Sequence, residues 1–150
     1  MSAKMMIVVR HDLKMRKGKI AAQAGHACVE VTLLALAREG RLGDVRVVRG
    51  SYGEEAGDLC GDFIALRPRR PSTPLTEWFA EGTAKVCVSV PSLEELLAVN
   101  ERAHAAGLLT ALIEDAGHTE FHGQPTFTCL AIEPAEPETV DPITGDLPLY

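Results

Sequence analysis

The sequence predicts an α/β fold: a three-layer sandwich in which a mixed four-stranded sheet carries helices on both faces. Three observations lead there. Short apolar runs alternate with longer stretches of helical period, in the order strand, helix, strand, helix, strand, and that order calls for crossover connections that lay helices on a sheet. A last strand follows its predecessor after only a loop, which lets it run antiparallel and makes the sheet mixed. Finally, 150 residues and 16.1 kDa give room for a single domain, 1–150, because division would leave two marginal cores.

Each element has its own signal. Lys4–Arg10 reads as a strand ending in Val8-Val9, and a basic loop separates it from a long helix over Lys17–Arg38. Glycines and prolines then interrupt any sustained period across 40–75, which reads as a long Gly/Pro/Arg-rich surface insertion holding at most one short strand, Asp62–Leu66. Lys85–Val90 alternates towards β structure. Ser92 can cap a following helix, with Glu95 completing a Ser-x-x-Glu box and Gly107 stopping it. Residues 108–113 and 126–132 are the third and fourth strands of the sheet. The last 17 residues, rich in proline and acid, are expected to drape over the surface.

Composition narrows the class. With 46% hydrophobic and 24% charged residues, wholesale disorder is ruled out. No apolar run approaches the roughly 18 to 20 residues of a membrane span. The apolar stretch at 5–9 is too short for a secretory core, so a cytoplasmic protein is the expectation. Cys28, Cys60, Cys87 and Cys129 stand far apart without a Cys-x-x-Cys pair, which argues against a zinc ribbon or disulfide framework. Net charge is −6, unevenly spread: residues 1–20 carry six basic groups against Asp12 alone, and residues 111–150 carry eight acids and no Lys or Arg. An acidic total argues against nonspecific coating of long nucleic acid, but it leaves room for a focused basic site meeting a phosphate or two. The plainer reading of Lys14 to Lys19 is a solvated loop.

On a helical wheel of about 100° per residue, Lys19, Gln23, His26 and Glu30 share one narrow sector. Ile20, Ala24, Ala27, Val31 and Leu34 flank it. Ala22, Gly25, Val29, Leu33 and Leu36 make a further apolar sector, so the helix is expected to be buried by more than its own sheet. The polar seam is either a site or an ordinary solvent strip with one satisfied histidine. Gly18-Lys19 opening a helix after a strand invites comparison with the phosphate-binding loop. The match fails, because Leu13 stands where that loop needs glycine and Ile20 where it needs Ser or Thr. A helix N-terminus beside a lysine still suits a phosphate or oxyanion.

The second constellation is Glu114-Asp115-Ala116-Gly117-His118-Thr119. Asp115 leaves the end of an apolar strand, where a carboxylate has no core role, and carboxyl ends of strands in open sheets are where ligands collect. If the first and third strands are parallel, Lys19 and Asp115 meet at one edge. The alternative is that Asp115 merely caps the turn before Gly117. His118 and His122 lack an evident third ligand, so no metal site is expected. Cys28 and His26 lie on different sides of the helix, which disfavours a Cys–His nucleophile. Trp78, Phe79 and Phe63 read as core or insertion anchors.

Taken together, residues 4–15, Gly18-Lys19-Ile20-Ala21-Ala22-Gln23, His26-Ala27, Lys85-Val86, Asp115-Ala116-Gly117 with Thr119, Gly123, Thr126 and the tail Asp141-Pro142-Ile143-Thr144-Gly145-Asp146-Leu147 resemble the type-2 peptidyl-tRNA hydrolase family. The likeness runs in order through both ends of the chain. It implies a compact α/β homodimer without metal or organic cofactor and without a membrane. The implied reaction is hydrolysis of the ester of peptidyl-tRNA, which returns tRNA to translation. By resemblance the catalytic residues are Lys19, Gln23, His26, Asp115 and Thr119. Asp115 would orient or activate water with help from Thr119, Lys19 would stabilise the oxyanion or terminal phosphate, and Gln23 and His26 would position the ester. Arg10, Lys14, Lys17, Lys19 and His118 are the candidates for tRNA contact. Three departures stand out: the long 40–75 segment, His118 where the family commonly has Arg or Lys, and Glu133-Pro134 where Gly-Pro is customary. The rival readings are a noncatalytic RNA- or protein-binding adaptor on the same fold and a general small-ester hydrolase.

Overall fold

The computed structural model describes residues 2–49, 62–118 and 120–150. Along the chain run β1 (Lys4–Arg10), α1 (Lys17–Arg38), a 3-10 turn (Leu42–Asp44), β2 (Val45–Arg49), β3 (Asp62–Leu66) and α2 (Pro74–Ala80). They are followed by β4 (Lys85–Val90), α3 (Leu93–Ala105), β5 (Thr110–Asp115), β6 (Thr126–Ala135) and α4 (Pro137–Thr144). The main sheet has the order β4-β1-β6-β5. β1 pairs parallel with β4 and antiparallel with β6, and β5 also runs antiparallel to β6. β1 and β5 therefore point the same way, which brings the chain just after β1 and the end of β5 to one edge of the sheet.

Strand alternation sorts side chains between two cores. Met5, Ile7 and Val9 of β1 face Ala27, Val31, Ala35 and Leu36 of α1 and Leu75 and Trp78 of α2. Met6 and Val8 face the opposite way, onto Leu96, Val99 and Ala103 of α3 and Val140 of α4. This is the expected three-layer arrangement, with the sheet buried on both faces. The Trp78 indole N–H donates to the Ala84 carbonyl at 2.8 Å, so this anchor is buried with its polar atom satisfied. Ser92 caps α3 by accepting from the Glu95 N–H at 3.1 Å.

Three expectations need correction. The 40–75 segment is not simply surface, because β2 and β3 form a two-stranded antiparallel sheet and α2 begins at its end. Arg41 and Asp44 lie buried there, with the Arg41 guanidinium bonding Asp44 (3.0 Å), Thr76 (2.7 Å) and the Arg67 carbonyl. Nor does the tail drape: Pro137 opens α4, Val140 and Thr144 are buried, and Leu149 bridges to Val88. α1 also averages a hydropathy of 1.5 over its most apolar stretch, enough in length and composition to cross a membrane, although no single run in it is unbroken. Of the further apolar sector of α1, Leu36 is buried, and Val29 and Leu33 are 62% and 51% exposed on the single chain.

Candidate active site

α1 starts at the sheet edge where β5 ends, and its first two turns deliver the site. Lys19 and Gln23, one turn apart, both reach Asp115. The Lys19 ammonium lies 2.7 Å from Asp115 Oδ1, and the Gln23 amide nitrogen donates to the same oxygen at 3.3 Å. The Gly117 N–H donates to Oδ2 at 2.9 Å. Gly117 is required here: its φ is +88°, and a Cβ would stand 2.4 Å from the Gln124 carbonyl oxygen. The turn cap and the ion pair thus coexist on one carboxylate.

Behind this trio sits a residue the sequence reading missed. Thr128 of β6 is fully buried, and its hydroxyl donates to Gln23 Oε1 at 2.7 Å. That bond fixes the amide so that its nitrogen faces Asp115. Thr128 is a hydroxyl within a strand buried on both faces, a place that favours apolar side chains. That incongruity was the available signal.

Electrostatics follow from the contacts. The Lys19 hydrogen bond holds the Asp115 carboxyl below its ordinary value of 3.8 despite the opposing effect of burial, with further help from the Gly117 N–H and the charges of Lys19 and His118. Asp115 is therefore an anion throughout the neutral range. The cysteines behave oppositely. Burial raises the Cys28 and Cys87 thiols and pushes Cys129 up to about 11, which leaves them protonated and poor nucleophiles. Cys60 and Thr119 lie outside the described residues.

The remaining candidates are distributed around this centre. His26 does not join it: the ring is exposed and stands 3.4 Å from Glu30. Arg10 is mostly covered, paired with Asp12 at 2.8 and 3.1 Å and bonded to the Phe127 carbonyl at 3.0 Å. Lys17 and His118 are exposed. Lys14 is exposed with φ +51° and lines an open cleft of about 650 Å³ with Asp12, Leu13, Arg16, Glu120 and Phe121. α1 has no side-chain cap and no acid in its first turn, so its positive end is left facing this mouth. Among the described residues no group of three metal-ligating side chains occurs.

Comparison with known proteins identifies the family. Residues 3–150 match the family model described as peptidyl-tRNA hydrolase PTH2. The chain is 40% identical over 149 residues to a peptidyl-tRNA hydrolase of Sulfurisphaera tokodaii, covering 99% of each chain. It is 38% identical over 146 residues to one of Methanothermobacter thermautotrophicus and 36% identical over 146 residues to one of Saccharolobus islandicus, in each case covering 97% of this chain and 98% of the relative. A lysine, a glutamine and an aspartate joined on one oxygen at the sheet edge therefore belong to a member of the peptidyl-tRNA hydrolase PTH2 family.

Proposed function

We propose that the chain hydrolyses the ester joining a peptide to the terminal ribose of tRNA, releasing the peptide and a reusable tRNA, and that Lys19, Gln23 and Asp115 carry the chemistry. The observation behind the assignment of roles is the shared Asp115 oxygen, which takes donors from Lys19 at 2.7 Å and Gln23 at 3.3 Å near an open cleft that holds Lys14 and Arg16. A carboxylate accepts about four hydrogen bonds, so a water can join the protein donors on Asp115. Held there, the water oxygen bonds to the acyl carbon and the carbon–ribose oxygen bond breaks. Of the water's two protons, one ends on the ribose hydroxyl and the other goes with the released acid. With its pKa depressed, Asp115 serves mainly to orient and polarise that water and is a weak proton store. Lys19 supplies positive charge where the oxyanion develops, the kind of stabilisation that contributes most in acyl transfer. Gln23 positions Asp115, and Thr128 positions Gln23.

Lys14, Arg16 and Lys17, exposed at the cleft mouth and the start of α1, are the residues we assign to tRNA phosphates. His26 stands at the margin and contacts the peptide side of the ester; Thr119 keeps its role as a second holder of the water. Val29, Leu33 and Leu34, exposed along α1, are the surface we assign to a homodimer, and a role in translation supports our reading of the protein as cytoplasmic. The test is turnover of N-blocked aminoacyl-tRNA beside Lys19→Ala. The reading expects free tRNA from the wild type and little from the variant. Binding without release by the wild type would make the chain an adaptor, and equal hydrolysis of simple esters would make it a general esterase.

A further inference from the structure

Phe121 is left without a role by the chemistry above. It is half-buried, packed against the α1-side core, and it lines the open cleft together with Asp12, Leu13, Lys14, Arg16 and Glu120. Its ring centroid stands 5.9 Å from the Lys19 ammonium. The ammonium thus lies over the ring near the outer limit of a cation–π contact, which ties the ring to the group that meets the ester. An aromatic side chain inside a cleft otherwise lined by charged residues and one leucine is out of keeping with a purely electrostatic surface.

We infer that Phe121 is a stacking surface for the terminal adenine of the tRNA. This inference rests on the hydrolase reading. The ester and the base hang on the same ribose, so a platform for the base must lie within one sugar's reach of the group that meets the ester. Phe121 satisfies this requirement, being a single ring away from Lys19. Every base has a π-face, and stacking on an aromatic residue is a common way to hold an unpaired nucleotide. The neighbouring Lys14 and Arg16 supply charge for the phosphate on the other side of that sugar. The terminal nucleotide would thus be held by one flat contact and one or two charges, which suits a chain of acidic total charge.

The experiment compares two small substrates: an N-acetylaminoacyl ester of adenosine, and the same acyl group on a sugar-like diol without a base. The quantity read is the ratio of their kcat/KM values. In Phe121→Leu, which keeps apolar bulk but loses the flat ring, this preference for the adenosine ester falls between about fivefold and a hundredfold, the range of one base stack. Phe121→Trp restores it. A second measurement needs no variant: adenosine 5′-monophosphate should inhibit the wild type at least about fivefold more strongly than ribose 5-phosphate does. An unchanged preference in folded Phe121→Leu, or equal inhibition by the two phosphates, overturns the inference while wild-type turnover of N-blocked aminoacyl-tRNA keeps the hydrolase reading intact. Absence of that turnover removes both.

Discussion

Two aspartates stand near opposite ends of α1, and both are held by cationic partners. Asp115, at the N-terminal end, takes Lys19, Gln23 and the Gly117 N–H. Asp44, just beyond the C-terminal end, takes Arg41 at 3.0 Å and Arg69 at 2.7 and 2.9 Å. Both carboxyls sit below their ordinary pKa, Asp115 chiefly through the Lys19 hydrogen bond and Asp44 chiefly through that of Arg41. A perturbed carboxylate therefore does not by itself mark a site. The surroundings make the difference. Arg41 carries its remaining donors into Thr76 and the Arg67 carbonyl, so the Asp44 cluster is a tie between the 3-10 turn, the end of β3 and α2. The Asp115 cluster sits near the open cleft, and its cation is a lysine, a compact charge on a flexible stem that can move onto a developing oxyanion.

The comparison predicts crossed outcomes. Asp115→Asn should lower kcat/KM on N-blocked aminoacyl-tRNA by roughly 10² to 10³, the range seen when a group aimed at the transition state is removed, with little change in melting temperature. Asp44→Asn should do the reverse, leaving turnover near normal at 25 °C and lowering stability. Should Asp115→Asn unfold the protein and Asp44→Asn silence it, the two assignments are exchanged.

Arg41→Ala should lower the melting temperature by roughly 6–12 °C, because it takes one of two cations from a buried acid and strands two further acceptors. The same cluster has a pH signature. Asp44 titrates below 3.8 in the folded chain, so its contribution to stability is present in full above that value and is lost as pH falls through the folded-state pKa. Calorimetry should find the gap between wild type and Asp44→Asn constant from about pH 5 to 8 and closing below 3.8. A gap that opens only near pH 6 would point to a histidine.

Thr128→Val keeps shape and removes the hydroxyl that orients Gln23. An unpartnered amide oxygen there should lower kcat/KM by about 5- to 30-fold. Thr128→Ser should recover most of this, which a purely packing role would not produce. The smallest effect concerns salt. With three or four phosphate contacts, tRNA affinity should fall with a log–log slope of about −2 to −3. A much steeper slope would bring Arg67 and Arg70 into the binding surface.

Much of the fold was legible because its elements obey simple periods. β1, α1 and β4 follow apolar runs or helical spacing, and the parallel relation of β1 and β5 that joins Lys19 to Asp115, left as a condition by the sequence, is what the pairing of both with β6 establishes. Three features were harder to read. β2 is only five residues long, next to glycines, with a pattern that exposes Val45 and Val47 and so resembles loop. α4 carries Pro137 at its start, where proline fits a helix, and Pro142 inside it, where proline argues against one. The helical wheel grouped His26 with Lys19, yet seven residues at 1.5 Å each put it about 10 Å further along the axis, level with Glu30 and away from Asp115. A wheel shows angle and hides distance. Glu133 is the converse case: it looked like a departure from pattern, yet it accepts from Arg38 and from the Leu109 N–H and so ties the end of α1 to β5.

The central claim is that Lys19 and Asp115, ninety-six residues apart in sequence and 2.7 Å apart in space, act on one ester. The direct measurement is a double-mutant cycle in kcat/KM on N-blocked aminoacyl-tRNA, with Lys19→Ala, Asp115→Asn and the pair. Groups serving one transition state are grossly non-additive. Each single variant should therefore lose roughly 10² to 10³, and the double should fall no more than about tenfold below the weaker single. Two losses that multiply in full, or an Asp115→Asn enzyme that turns over at near wild-type rate while folded, would contradict the account.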